Sequence, residues 1–271
     1  MGHADSTAKT GRLVLVRHGE SEWNQKNQFT GWVDVSLTEK GIEQAKEAGK
    51  QLRDSGFQPD VVYSTNLSRA SSTAREMLNA MGTPSKEIKI DDRMIERHYG
   101  DVTGYNKKQL ESDYVQQAIK DGKSEEEAKE IAAGKIKTLR RSYDNPPPAM
   151  QDSNPYHPNK NSQKGEGEPK FIIVPDNDAK TESLSDVVKR VKPFWEEEIL
   201  PRLQNGENIM ISAHGNSLRA LTMIIKNMSK DQIIEYNMDN AKPYIYDISS
   251  KKGAKDWEYK EVDLAAAAKA R

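Results

Sequence analysis

The 271-residue sequence predicts an α/β fold, a three-layer α/β/α sandwich built on a mostly parallel central sheet. Two observations carry that expectation. Short, wholly apolar runs stop abruptly at polar loops, as strands buried on both faces do, and each is followed at once by a helical pattern. The first run is Leu13-Val14-Leu15-Val16, ending at Arg17-His18-Gly19. The second, Val61-Val62-Tyr63, ends at Ser64-Thr65-Asn66, and the third, Ile209-Met210-Ile211, ends at Ser212-Ala213-His214-Gly215-Asn216. A sheet of this kind collects the carboxyl ends of its strands on one rim, where ligands bind.

Apolar residues recur at the 3.6 period in Ile42, Ala45, Gly49 and Leu52, in Ala70, Ala74, Met77, Leu78 and Met81, and in Leu218, Leu221, Ile225 and Met228. Thr38, Ser68 and Ser217 stand where a side chain can accept the first orphan amides of these helices. Ser183 with Asp186 forms a capping-box pattern ahead of Val187, Val188, Val191, Trp195 and Ile199, and Pro193 is expected to bend that helix near its start. The strongly charged stretch from Glu111 to Lys137 reads as solvated helix in an insertion, which is more often a surface embellishment than a source of chemistry. From Asn145 to Pro175 the composition shifts to Pro, Asn, Lys and Gly, giving a long loop of the sort that covers a strand rim as a lid.

Residues 12–250 therefore read as one large domain. Residues 1–11, His3 included, read as a disordered leader, and residues 251–271 as a last strand and a mobile tail in which Ala265 to Ala268 form at most a weak helix. Lys+Arg of 41 against Asp+Glu of 42 leaves a net charge of -1, so no global field draws the chain to nucleic acid or a membrane surface. Any anion site has to be local. With no cysteine, disulfides, thiolate catalysis and sulfur-ligated zinc are excluded. No apolar run is long enough to span a bilayer, and without a secretory signal the default compartment is the cytoplasm.

The sharpest local signal is Arg17-His18-Gly19-Glu20 at the end of a buried strand. A neutral imidazole is nucleophilic near neutral pH without a separate base. Arg17 offers planar bidentate donors to phosphate oxygens, and Gly19 lets backbone approach closely. His214-Gly215-Asn216-Ser217 joins another strand to a helix N-terminus, whose free amides and dipole suit a phosphoryl oxygen. A lone histidine there is more often structural, but topology brings both histidines to one rim, where His214 could stabilise a transferring phosphoryl group beside His18. Arg69 sits in a first helical turn, a poor place for a cation unless an anion compensates. Glu96, in Glu96-Arg97-His98-Tyr99-Gly100, is the candidate general acid and base for transfer to a hydroxyl. Asn24, Thr30, Gly31, Lys107, Arg140 and Arg141 lie on segments bordering the rim, while His157 reads as structural or exposed.

The runs LVLVRHGESEWNQKNQFTGWVDVSLTEKG, ERHYGDVTGYNK, TESLSDVVKRV and AHGNSLRAL resemble the cofactor-dependent phosphoglycerate mutases of the histidine phosphatase superfamily, from about Leu13 to Tyr246. The resemblance implies His18 as the phosphorylated nucleophile, Glu96 as proton donor and acceptor, and His214 and Arg69 beside the transferring group. It implies that Arg17 and Asn24 hold the phosphoryl on His18. Thr30, Gly31, Tyr99, Lys107, Arg140, Arg141, Gly215 and Asn216 match positions that hold the phosphates and carboxylate of the ligand. By the same resemblance 2,3-bisphosphoglycerate primes the enzyme, no metal is needed, the reaction belongs to glycolysis and gluconeogenesis, and the chain forms a homodimer or homotetramer. Ser21 is the mutase-like residue where the synthase branch has glycine, which ranks mutase ahead of bisphosphoglycerate synthase or a small-metabolite phosphatase. A silent phosphometabolite sensor would not need the nucleophile.

Overall fold

The computed structural model describes residues 7–265. In chain order the first half runs β1 (Lys9–Arg17), α1 (Glu22–Gln25), β2 (Val33–Asp34), α2 (Glu39–Asp54), β3 (Val61–Ser64), α3 (Ser68–Met81), β4 (Lys89–Ile90), α4 (Lys107–Lys120) and α5 (Glu125–Arg141). The second half adds β5 (Lys170–Phe171), α6 (Leu184–Phe194), α7 (Leu200–Gln204), β6 (Ile209–Ala213), α8 (Gly215–Lys226), α9 (Lys230–Glu235), β7 (Pro243–Ser250) and β8 (Glu258–Val262). The main sheet has the order β4-β3-β6-β1-β7-β8. Its β4, β3, β6 and β1 pair in parallel, and β7 and β8 complete it antiparallel.

The continuous apolar runs follow from coverage on both faces. Leu13, Leu15, Ile209 and Ile211 pack against Val187, Val191, Leu218 and Leu221 of α6 and α8. The alternate residues Val14, Val16, Val62 and Met210 pack against Ala45, Leu52, Met77 and Leu78 of α2 and α3. Each strand residue therefore meets a helix whichever way its side chain points.

Several local expectations need correction. Lys9, Thr10 and Gly11 are not a disordered leader but the start of β1, laddered to Ser250, Ser249 and Ile248 of β7. Backbone pairing needs no apolar side chain, so a polar stretch could extend the strand. Residues 1–6, His3 among them, and the tail from residue 266 lie outside the described residues. Thr38 caps α2 as expected, accepting from the Gly41 amide at 3.0 Å, and the Ser183–Asp186 capping box is present. Ser68, however, is already inside α3. The cap there is Asp34 of β2, whose carboxylate accepts from the Ser68 amide at 2.8 Å and from its hydroxyl at 2.7 Å. Ser217 works from the third helical position, taking the His214 amide at 3.3 Å. Pro193 lies in the last turn of α6, not near its start. Having no N–H to complete the ladder, it is followed by a single wide π turn, Trp195–Ile199, before α7.

The charged stretch forms an α4–α5 hairpin whose exposed end is solvated. At its root Leu110, Ile136 and Leu139 are buried against Phe29 and Val102 beside the strand rim. The Pro-rich segment is pinned by β5 pairing with β2 and by Asn161, which bonds the Phe171 backbone in both directions.

Gly19 and Gly41 lie back to back, and a β-carbon on Gly41 would overlap the Glu20 carbonyl. That contact brings the start of α2 against the loop after β1. Gly41→Ala is accordingly expected to destabilise the protein by about 1–3 kcal/mol, as overpacking does. A thermal unfolding midpoint equal to that of the parent would contradict the close approach.

Candidate active site

The loop after β1 is tied down from several directions. The His18 amide donates to the Ala213 carbonyl of β6 at 3.0 Å, Asn240 Nδ2 donates to the His18 carbonyl at 2.8 Å, and the Gly19 amide donates to Thr73 Oγ1 at 3.0 Å. Held this way, His18 is 2% exposed. Its Nδ1 lies 2.7 Å from the Gly19 carbonyl oxygen. A carbonyl can only accept, so Nδ1 carries the proton and Nε2 keeps a free lone pair. Burial first, then the charges of Arg69 and Arg17, push the His18 pKa well below its ordinary value of 6.5, so the ring is neutral.

His214 stands at the end of β6 as the N-cap of α8, fully buried, with its ring centroid 5.4 Å from that of His18. Two strands that pair in parallel bring the two rings together, as the sequence predicts. Thr65, at the end of β3, places its hydroxyl 2.8 Å from His214 Nε2. Burial, Arg69 and His18 hold His214 well below the ordinary histidine range.

In front of His18 lies a cavity of about 190 Å³. Its lining contains Arg17, His18, Asn24, Thr30, Gly31, Arg69, Glu96, Tyr99, Lys107, Arg140, Arg141, Gly215 and Asn216, which is every site residue singled out in the sequence except His214. Gln28, Phe29, Arg219 and Asn237 also line it and were not anticipated. Six cations, Arg17, Arg69, Lys107, Arg140, Arg141 and Arg219, thus face one carboxylate, Glu96. In a chain of net charge -1 this is a concentrated local anion site.

Each cation has a structural reason to be there. Arg69 is swung across by α3 and donates to the Val33 and Gly31 carbonyls at 2.8 and 2.7 Å, which fixes the Gly31 turn at φ 53°. Burial lowers its pKa to about 10. Lys107 begins α4 and Arg140 and Arg141 end α5, so the hairpin root delivers three charges to the cavity. Burial, then Arg140 and Arg17, lower the Lys107 pKa to about 8. Arg219 of α8 donates to the Tyr236 and Ile233 carbonyls and to Asn216 Oδ1, and Arg141 reaches Asn237 Oδ1 at 3.3 Å. No sequence signal marks Asn237, because the turn that carries it is set by these arginines.

Glu96 lies in an irregular segment between β4 and α4. Its Oε1 accepts from the Arg97 amide at 2.7 Å and the Asn216 amide at 3.3 Å. Tyr99 stands beside it, its hydroxyl accepting from Asn216 Nδ2 at 3.1 Å. His157 is remote from the cavity, with Nε2 3.3 Å from Asp152. Among the described residues no group of three or more His, Asp or Glu side chains could hold a metal ion, and no helix is long and apolar enough to cross a membrane.

Three buried histidines give the fold a definite response to acid. His98, packed against the Trp32 and Phe171 rings, is lowered by burial to about 4, and His18 and His214 are held well below the ordinary value by burial as well. Below about pH 6.5 the unfolded chain binds protons at these positions and the folded one does not, so stability falls with acidification by up to about 1.4 kcal/mol per pH unit for each histidine. The unfolding midpoint is expected to drop between pH 7.5 and pH 5.5. A flat midpoint over that window would contradict the burial of neutral rings.

Comparison with known proteins agrees with this geometry. The family model described as histidine phosphatase superfamily (branch 1) matches residues 13–145 and 149–258. The chain is 42% identical over 242 residues to the 2,3-bisphosphoglycerate-dependent phosphoglycerate mutase of Corynebacterium diphtheriae, covering 88% of this chain and 86% of that protein. It is 40% identical over 244 residues to such a mutase from Lactobacillus johnsonii, covering 89% and 94%. Among solved structures, a phosphoglycerate mutase from Bacillus anthracis shares the fold at TM-score 0.63 and 20% identity, over 98% of this chain and 99% of that one. The chain therefore belongs to the histidine phosphatase superfamily and, within it, to the family of 2,3-bisphosphoglycerate-dependent phosphoglycerate mutases.

Proposed function

We propose that this enzyme interconverts 3-phosphoglycerate and 2-phosphoglycerate through a phosphohistidine on His18, primed by 2,3-bisphosphoglycerate. The observation that carries the proposal is the neutral His18 ring, with Nε2 free, at the base of a cavity lined by six cations and one carboxylate. Two phosphates and a carboxylate on a three-carbon acid match that lining in sign and size. The relatives named above, at about 40% identity over most of their length, support the same substrate.

The steps follow from the residues. His18 Nε2 attacks the phosphorus of 2,3-bisphosphoglycerate, forming the N–P bond as the P–O bond to the sugar-acid oxygen breaks. Glu96 supplies the proton that this oxygen takes up. In the reverse sense, Glu96 removes the proton from a substrate hydroxyl as its oxygen attacks phosphohistidine and the N–P bond breaks. Both amides engage Oε1, which leaves Oε2 as the oxygen that exchanges the proton. Arg17 and Arg69 balance charge on the equatorial oxygens, while the amide nitrogen of Asn24 and His214, whose Nδ1 has no protein partner, supply neutral donors. Asn24 suits this because its Oδ1 is already taken by the Ser21 amide in a capping box, leaving Nδ2 as a donor. Thr30, Gly31, Tyr99, Lys107, Arg140, Arg141, Gly215 and Asn216 hold the second phosphate and the carboxylate while the bisphosphate reorients. The dense positive lining supplies the field that a metal supplies in other phosphoryl transfers. A reaction on central glycolytic and gluconeogenic acids supports a cytoplasmic location for the enzyme.

The test is turnover of 3-phosphoglycerate with a trace of 2,3-bisphosphoglycerate, coupled through enolase. Formation of 2-phosphoglycerate that depends on the trace primer is expected. Absence of turnover would contradict the proposal, and phosphate release without 2-phosphoglycerate would point to a phosphatase instead.

A further inference from the structure

Glu96 is carried by a segment without regular secondary structure, running from the short helical turn Asp92–Met94 to the one at Gly100–Val102. No helix or strand ladder fixes its backbone, yet its carboxylate has to be placed to within a fraction of an ångström of a substrate hydroxyl. Three of its backbone groups, the Arg93 and Glu96 carbonyls and the His98 amide, bond two charged side chains outside the cavity lining, Glu182 and Arg190, and the Glu96 carbonyl also accepts from Trp32 Nε1. The Arg190 guanidinium spans Glu182 bidentately, Nε to Oε1 at 2.8 Å and Nη2 to Oε2 at 3.0 Å. The same guanidinium donates from Nη1 to the Arg93 carbonyl at 2.7 Å and from Nη2 to the Glu96 carbonyl at 2.9 Å. Glu182 completes the brace. Its Oε2 accepts from the His98 amide at 2.8 Å, its own amide donates to the His98 carbonyl at 2.9 Å, and its carbonyl accepts from Arg97 Nε at 2.7 Å.

The side chain of Glu182 is 3% exposed and that of Arg190 13% exposed, so the pair works away from most of the screening of water. Glu182 is fixed in turn by its place beside Ser183, which caps α6, and Arg190 by its place on that helix. The brace therefore transmits the position of a packed helix to an irregular segment. A planar fork is required, because one side chain serves one carboxylate and two carbonyls at set angles.

We infer that Glu182 and Arg190 are positioning residues for the proton-transfer carboxylate, acting on the reaction only through the placement of Glu96. This inference rests on the proposed role of Glu96. Arg190→Lys keeps the charge and loses the fork, and is expected to lower kcat by about 10-fold to 100-fold through misplacement of that carboxylate. KM for 3-phosphoglycerate should stay within about threefold, since the binding cations are untouched.

The deciding experiment is a double-mutant cycle with Glu96→Gln in the full-length enzyme. If the brace acts through Glu96, Arg190→Lys costs kcat in the parent and nothing further once Glu96 is glutamine. Equal losses in both backgrounds would overturn the inference and mark the pair as structural only. Parental kcat in Arg190→Lys alone would overturn it as well. A Glu96→Gln enzyme at parental rate would instead overturn the role of Glu96 itself. Should Arg190→Lys fail to fold, the isosteric Glu182→Gln carries the same cycle with the same outcomes.

Discussion

His18→Ala is expected to abolish mutase turnover while leaving the affinity for 3-phosphoglycerate within about tenfold of the parent. The separation follows from where the two jobs are done. The proposed covalent chemistry depends on one atom, His18 Nε2, whose lone pair is freed by the Nδ1 bond to Gly19. The proposed binding depends on Arg69, Lys107, Arg140, Arg141 and Arg219, none of which is held in place by the imidazole. His214 is not expected to stand in as nucleophile, because it does not line the cavity and its Nε2 is engaged by Thr65. Coupled kinetics and ligand titration check both halves. Turnover retained by the alanine variant would remove His18 from the mechanism.

Glu96→Gln is expected to slow transfer by about 10²-fold to 10⁴-fold, the usual contribution of a positioned acid or base. The substitution is conservative in structure. A glutamine oxygen can still accept from the Arg97 and Asn216 amides, and the Glu96 carbonyl keeps its bonds from Trp32 Nε1 and Arg190. What is lost is a group able to hold and return a proton at the leaving oxygen. His18 should then become phosphorylated only slowly, measured as single-turnover labelling, while substrate KM changes little. Parental rates in this variant would exclude Glu96 as the acid and base.

The parts of the site legible in the sequence are those set by one local rule. His18 and His214 could be brought together because each ends a run of apolar residues, and such runs pair side by side in a parallel sheet. Arg69 could be placed because a cation in a first helical turn faces the strand rim. Residues fixed by distant partners were harder to read. Asp34 caps α3 from the far side of α2 and β3 in the chain, so Ser68 looked like the cap. Glu182 and Arg190 look like an ordinary helix entrance in sequence, and their role as a brace depends on a segment more than eighty residues earlier in the chain. The charged hairpin was legible in its solvated middle and its charged ends but not in how its root docks. Most of its residues are solvated, and the few that matter, Lys107 at one end and Arg140 and Arg141 at the other, reach the cavity only because Leu110, Ile136 and Leu139 dock its root.

β1 shows the same limit at the level of the fold. Its polar start, Lys9 to Gly11, carries no apolar signature, and its pairing is decided by β7 some 240 residues away, through Lys9 against Ser250.

One measurement bears on the phosphoryl-carrying imidazole more directly than any rate. The protein is exposed to 2,3-bisphosphoglycerate carrying labelled phosphorus, quenched in base, digested and sequenced. Label that is acid-labile, base-stable and confined to the peptide bearing His18 is the expected result. Label on another residue, or none in a preparation that turns over substrate, would contradict the mechanism.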